Sequence, residues 1–245
     1  MSDWVFDLGN SRFKFAPLGE ASPGDVQAWP HGAEAMTASA RAALPHGDTA
    51  WVASVAAAGL TAEVMALLHE RFAQVRIART QAECGGLRIA YAQPEKLGVD
   101  RFLALLAAVR LQPPVLVVGV GTALTIDLLD ADGLHRGGRI GASPTVMREA
   151  LHARAAQLPA SGGDYAEFAC DTADALASGC DGAAVALVER SQRLAGELLG
   201  IVPRLLLHGG GAAPLLPLLP AAGYRPALVL EGLAYWAVHQ RRQER

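Results

Sequence analysis

Asp7-Leu8-Gly9-Asn10-Ser11-Arg12-Phe13-Lys14 sets a carboxylate at the end of an apolar run and follows it with a glycine turn, small polar residues and two cations. A tight hairpin of this kind turns backbone N–H groups outward. Such a donor set beside a carboxylate suits a phosphate together with a divalent cation. Gly-Asn is equally ordinary turn chemistry, so a plain hairpin is the competing reading. Gly121, Thr122 and Ala123 repeat the theme, with glycine and a hydroxyl set between two apolar runs. Two such loops can hold a polyphosphate from opposite sides while the segments that carry them move. Competing phosphate motifs are absent: no G-K-[ST] occurs, and Gly119 to Leu124 lacks the third glycine of a dinucleotide fingerprint.

Gly98-Val99-Asp100-Arg101 places a carboxylate next to a guanidinium. Phosphoryl transfer to an alcohol needs a base for the hydroxyl proton and a cation for anionic groups, and this pair supplies one of each. A helix N-cap at Asp100 is the alternative, and Thr172 carries the same choice between cap and ligand contact. Gly209, Gly210 and Gly211 permit close approach of backbone to a flat ligand, or form a simple strand-to-helix turn. The seven histidines show no ligand spacing, and no serine sits in a G-x-S-x-G elbow.

A short apolar run at Trp4–Phe6, ending at Asp7–Asn10, and polar–aromatic alternation over Arg12–Phe15 predict strand, glycine turn and strand, with a third strand near Val26–Trp29. Val115 to Ile140 repeats that meander in the second half. Between and after them the pattern alternates helix and strand, which defines an α/β chain. Helices are predicted over Ala33–Leu44, Thr61–Phe72, Lys96–Leu111, Thr145–Gln157, Thr172–Leu199 with a weak point at Gly179–Gly182, Ala213–Leu219 and Gly232–Arg241. Further strands are predicted over Ala50–Val55, Val75–Ala78, Arg204–His208 and Ala227–Leu230. Pro113 and Pro114 mark a boundary, giving lobes 1–114 and 115–245 with a cleft expected between them.

The 245 residues carry 21 Lys and Arg against 24 Asp and Glu, a net charge of −3, which disfavours a nucleic-acid partner. At 51% hydrophobic and 18% charged, the composition excludes disorder and coiled coil. Three cysteines are too few for a disulfide framework, and no apolar run reaches spanning length. The expectation is a soluble cytoplasmic protein with no membrane partner.

In order along nearly the whole chain, these motifs resemble the type III pantothenate kinases of the actin, sugar kinase and Hsp70-like superfamily. DLGNSRFK resembles the family's first phosphate loop, GVDR at Gly98–Arg101 its G-x-D-R motif, and GTALTID at Gly121–Asp127 its second phosphate loop. GGRI at Gly137–Ile140, DTADALASG at Asp171–Gly179 and LVLEGL at Leu228–Leu233 are similar to its later segments. The resemblance implies a two-lobed actin-like (ribonuclease H-like) ATPase fold, each lobe a mixed sheet with helices. It implies transfer of the ATP γ-phosphoryl to pantothenate, giving 4'-phosphopantothenate, the first step of coenzyme A synthesis. Asp100 is then the general base. Asp7 orients a hydrated Mg²⁺, with Leu8 to Lys14 and Thr122 around the phosphates. Tyr91, Gly98, Val99, Asp100, Arg101 and Thr172 form the pantothenate side, and a homodimer is expected, with Thr172 acting within one subunit or across the subunit boundary.

The sequence departs from the family pattern at three places. Gly119 stands where an Asp commonly binds K⁺ or NH₄⁺, so that cation loses its ligand here. Ala142 and Ser143 replace a Pro-Gly, and a T-G-G-D-A-like segment reads His208-Gly209-Gly210-Gly211-Ala212. Two other functions compete: an idle member acting as a regulatory accessory protein, and a same-fold kinase for another small alcohol. Retention of Asp7, Asp100, Arg101 and Thr122 argues against the idle form.

Overall fold

The N-terminal alternation folds as an antiparallel hairpin in the computed structural model, which describes residues 2–30 and 41–243. Trp4–Leu8 (β1) pairs with Arg12–Pro17 (β2) so that Asp7 faces Lys14 and Leu8 faces Phe13. Gln27–Pro30 (β3) lies antiparallel to β2, while Gly47–Ser54 (β4) and Phe72–Ile77 (β5) extend the sheet parallel to β1. The order is β3-β2-β1-β4-β5. Ala58–His69 (α1) makes the crossover from β4 to β5. Most of the helix predicted over 33–44 lies outside the described residues.

Because side chains alternate across a strand, Phe6 and Leu8 on β1 share one face with Phe13 and Phe15 on β2. They bury against Leu60, Val64 and Leu68 of α1 and against Phe72, whose ring meets Phe6 edge-on at 5.5 Å. This aromatic core holds the loop between β1 and β2 at the carboxyl end of β1. A short hairpin, Glu83–Cys84 (β6) with Leu87–Arg88 (β7), precedes a 3₁₀ turn at Pro94–Lys96 and the helix Val99–Val109 (α2).

The second half repeats the plan. Val115–Val120 (β8) and Ala123–Leu129 (β9) are antiparallel, His135–Ala142 (β10) flanks β9, and Arg204–His208 (β11) and Gly223–Tyr224 (β12) run parallel to β8. The order β10-β9-β8-β11-β12 matches the first sheet position for position. Pro144–Arg154 (α3) and Thr172–Leu199 (α4) follow β10. α4 runs unbroken through Gly179 and Gly182. Each glycine costs roughly 1 kcal/mol of helix propensity, but Ala177, Cys180, Ala184, Val185 and Val188 carry the buried stripe across them.

The strand predicted over Ala227–Leu230 is instead the start of the helix Leu228–Gln243 (α5). A four-residue aliphatic run has no diagnostic period; the buried set Leu230, Leu233, Ala234, Trp236 and Ala237 does. α5 packs on α2, β1 and β4. At Gly232 the backbones of α5 and α2 meet directly, since a Cβ there would stand 1.9 Å from the Leu103 carbonyl oxygen. The chain therefore divides into one unit of Met1–Leu111, Gly133–His135 and Ala227–Arg245 and another of Gln112–Asp132 and Arg136–Pro226. The single boundary at Pro113 and Pro114 gives way to this division, because the apolar stripe of α5 buries in the first unit.

Candidate active site

In the first unit, Asp7 ends β1 and Lys14 stands opposite it on β2. Burial pushes the Asp7 carboxyl up to about 7; Lys14 pulls it down and Asp100 pushes it further. Burial likewise lowers Lys14, with Asp7 opposing that effect. The carboxylate of Asp100, far away in sequence, is near enough to act on Asp7 electrostatically. The turn between them and solvent is closed by Gly9 N–H donating to the Arg12 carbonyl at 3.0 Å. Asn10, Ser11 and Arg12 are exposed, whereas the side chains of Leu8 and Phe13 are in the core. Only the backbone of those two can face a phosphate.

Asp100 is the second residue of α2, whose N-cap position is Gly98 without a side-chain cap bond. The capping alternative for Asp100 therefore falls. Its Oδ1 accepts the Arg101 N–H at 2.8 Å, and a Cβ on Gly98 would stand 2.7 Å from that same oxygen. Glycine at 98 keeps the space in front of the carboxylate open. Arg101 is 7% exposed, and its Nη1 donates to the Tyr91 hydroxyl at 3.4 Å. A buried guanidinium at a helix start is a strong anion receptor.

In the second unit, Gly121 N–H donates to the Ala123 carbonyl and closes a turn on which Thr122 is exposed. Gly209 and Gly211 are required by packing on β8: their Cβ atoms would stand 2.4 and 3.0 Å from Val120 atoms, and Gly211 N–H donates to the Val120 carbonyl at 3.0 Å. At Gly209 and Gly211 the run is a turn clamped to the sheet. Thr172 is exposed at the first position of α4, and the cap is made by Asp171, which accepts from Ala173 and Asp174 N–H. Two further residues of that segment hold the preceding chain: Asp174 accepts Asp164 N–H and Ser178 accepts Ala166 N–H, both at 2.8 Å. Nothing in their spacing announced this role, because both partners lie in irregular chain.

Among the described residues no cluster of three His, Cys, Asp or Glu can hold a bare metal ion. Mg²⁺ held through water fits the Asp7 carboxylate at the end of β1, whose charged form a dication would favour against its burial. A monovalent cation at position 119 does not fit. Gly119 is buried between its strand neighbours, and a Cβ there would stand 2.6 Å from Thr125 Oγ1 and 2.9 Å from His208 Nε2. The space of a side-chain ligand is already filled.

Two mixed sheets of identical strand order, each headed by a glycine hairpin, define an actin-like, ribonuclease H-like ATPase fold. A protein of Listeria monocytogenes provisionally described as an N-acetylmannosamine kinase superposes with a TM-score of 0.54 at 13% identity, covering 100% of both chains. A Campylobacter jejuni protein provisionally assigned to the Baf family of transcriptional activators superposes with a TM-score of 0.64 at 17% identity, covering 99% of this chain and 100% of its own. The model of the type III pantothenate kinase family matches residues 4–193. A type III pantothenate kinase of Stenotrophomonas maltophilia is 71% identical over 240 residues, 98% of this chain and 99% of that protein. The chain belongs to the type III pantothenate kinase family.

Proposed function

We propose that this chain transfers the γ-phosphoryl group of ATP to the primary hydroxyl of pantothenate, the first step of coenzyme A synthesis, with Asp100 as the general base. The observation that supports the reading is the Asp100 carboxylate beside the buried Arg101 guanidinium at the uncapped start of α2, where Arg101 reaches Tyr91. Asp100 takes the hydroxyl proton as the pantothenate oxygen attacks the γ-phosphorus, and the β–γ bridging oxygen leaves with ADP. Arg101 and the Tyr91 hydroxyl face the anionic substrate, with Gly98, Val99 and Thr172 completing its contacts. The backbone from Leu8 to Phe13, the Lys14 ammonium and Thr122 hold the phosphates. Mg²⁺, when bound, neutralises charge developing on the phosphate oxygens.

A homodimer accords with Ile140, Leu151 and Phe168, large apolar side chains exposed on the second unit. A cytoplasmic location accords with a chain in which no described helix is long and apolar enough to cross a membrane. The test couples ADP release by the purified protein to added pantothenate. ADP release that does not depend on pantothenate would refute the substrate assignment.

A further inference from the structure

Tyr91 lies in irregular chain between β7 and the 3₁₀ turn, where no ladder of backbone hydrogen bonds fixes it. Side chains hold its ring. Arg101 Nη1 reaches the hydroxyl at a long 3.4 Å, and the imidazole of His135 lies beside the ring, 5.8 Å between centroids and inclined by 31°. His135 is fully buried, so its ring is a packing surface that solvent does not compete for.

The place of His135 is fixed by two interlocked glycine turns. Gly86 has φ +90° and Gly133 has φ +76°, conformations that other residues rarely adopt. A Cβ on Gly133 would stand 2.2 Å from the Gly86 carbonyl oxygen, so the two backbones touch. The Gly133 carbonyl accepts Arg88 N–H at 2.9 Å, and Leu134 bridges to Arg88. The chain thus binds Gly133–Leu134 to the β6–β7 hairpin and delivers the next side chain under the residue that follows that hairpin by three positions. Tyr91 in irregular chain thus has beneath it a ring whose backbone is tied to the β6–β7 hairpin.

From this we propose that His135 is a positioning residue for pantothenate recognition. It holds the Tyr91 ring, and through the Tyr91 hydroxyl the buried Arg101 guanidinium, in the orientation the substrate meets. The proposal rests on the pantothenate reading above. Its effect falls on pantothenate and spares ATP, because none of Asp7 to Lys14 contributes to the Tyr91 contacts described.

The experiment measures the KM for pantothenate and for ATP, kcat, and calorimetric pantothenate binding for the unmodified protein, His135→Ala, His135→Leu, His135→Phe, Tyr91→Ala and the Tyr91→Ala/His135→Ala pair. His135→Ala should raise the pantothenate KM and dissociation constant about tenfold, the scale of one aromatic contact, with the ATP KM within about twofold. His135→Phe, which keeps a flat ring, should recover most of the loss, and in the Tyr91→Ala background loss of His135 should add less than about twofold. Should His135→Ala not fold, His135→Leu fills the volume without a ring and should show the same selective loss. Equal penalties with and without Tyr91, equal rises in both KM values, or no change overturn the proposal. If the unmodified protein neither binds nor phosphorylates pantothenate, the substrate reading falls and this proposal with it; normal turnover with an unaffected variant removes this proposal alone.

Discussion

Replacing Asp7 by Asn in the nucleotide-free protein should stabilise the first unit, increasingly so as pH rises. Burial holds the folded-state carboxyl at about 7 against an ordinary 3.8. Below about pH 4 both folded and unfolded chains are protonated there, and the site costs nothing. Between about pH 4 and 7 the unfolded chain ionises while the folded one keeps its proton, so stability falls; above about 7 the loss is complete. At about 1.4 kcal/mol per tenfold, the gap opens above pH 4 and grows to a few kcal/mol by pH 8. Asn escapes this cost, but it also strips Lys14 of the carboxylate that favours its charged form, so a net gain smaller than that gap is expected at pH 8. All four tryptophans, Trp4, Trp29, Trp51 and Trp236, belong to the first unit, so their fluorescence during urea unfolding reports on that unit. The measurement is made from pH 5 to 8 with EDTA and no nucleotide. A variant less stable than the parent at pH 8, or a difference that does not grow with pH, would show that Asp7 is already charged and satisfied by Lys14. The same variant should lose Mg²⁺-dependent turnover, since a site that binds cation and phosphate keeps a charge that the empty fold would rather lack.

Asp100→Asn should lower kcat by on the order of 10²-fold or more with little change in ATP binding, and turnover within about threefold of the parent would assign the carboxylate to the helix start alone. Initial rates against KCl, at ionic strength held constant with Tris salt, should show no steep saturable activation; Gly119→Asp should lower the melting temperature by crowding Thr125 and His208, and a melting temperature unchanged by the substitution would refute the packing argument. Ellman's reagent should titrate one thiol in the native protein and three after unfolding. Cys170 is exposed, while Cys84 is buried with its thiol pushed up to about 11 and Cys180 is buried and raised by desolvation.

Both meanders were legible because the apolar runs Trp4–Phe6 and Val115–Val120 each end in a glycine turn, and one register then buries Phe6, Leu8, Phe13 and Phe15 in one core and Val118, Val120, Leu124 and Ile126 in the other. Asp7 and Asp100 stood out by residue type and by the glycines beside them. What the pattern could not give was long-range pairing. The β6–β7 hairpin has two residues per strand, too few for a period, and its purpose appears only when Gly133 docks against Gly86. His135 looked like any other scattered histidine because its partner Tyr91 lies in the other half of the sequence. The start of α5 was misread as strand because Ala227–Leu230 is aliphatic throughout, and the glycine that decides its packing, Gly232, acts through the backbone of α2.

The same limit explains why Gly119 and His208, met separately, look like two losses. They are register partners on β8 and β11, and Thr125 on β9 is the partner of Gly119 on its other side. A decaying site leaves a cavity where a side chain has gone, and a cavity costs stability in proportion to its volume. Here Thr125 Oγ1 and His208 Nε2 close on the vacant Cβ position to 2.6 and 2.9 Å, so the place of a carboxylate is taken by its two neighbours. Directly beyond it, Gly209 and Gly211 still press on Val120, and Gly121 still closes the turn that presents Thr122. Gly119, Thr125 and His208 are therefore one packed unit across three neighbouring strands, in which the side chain absent at 119 leaves no gap beside the turn that presents Thr122.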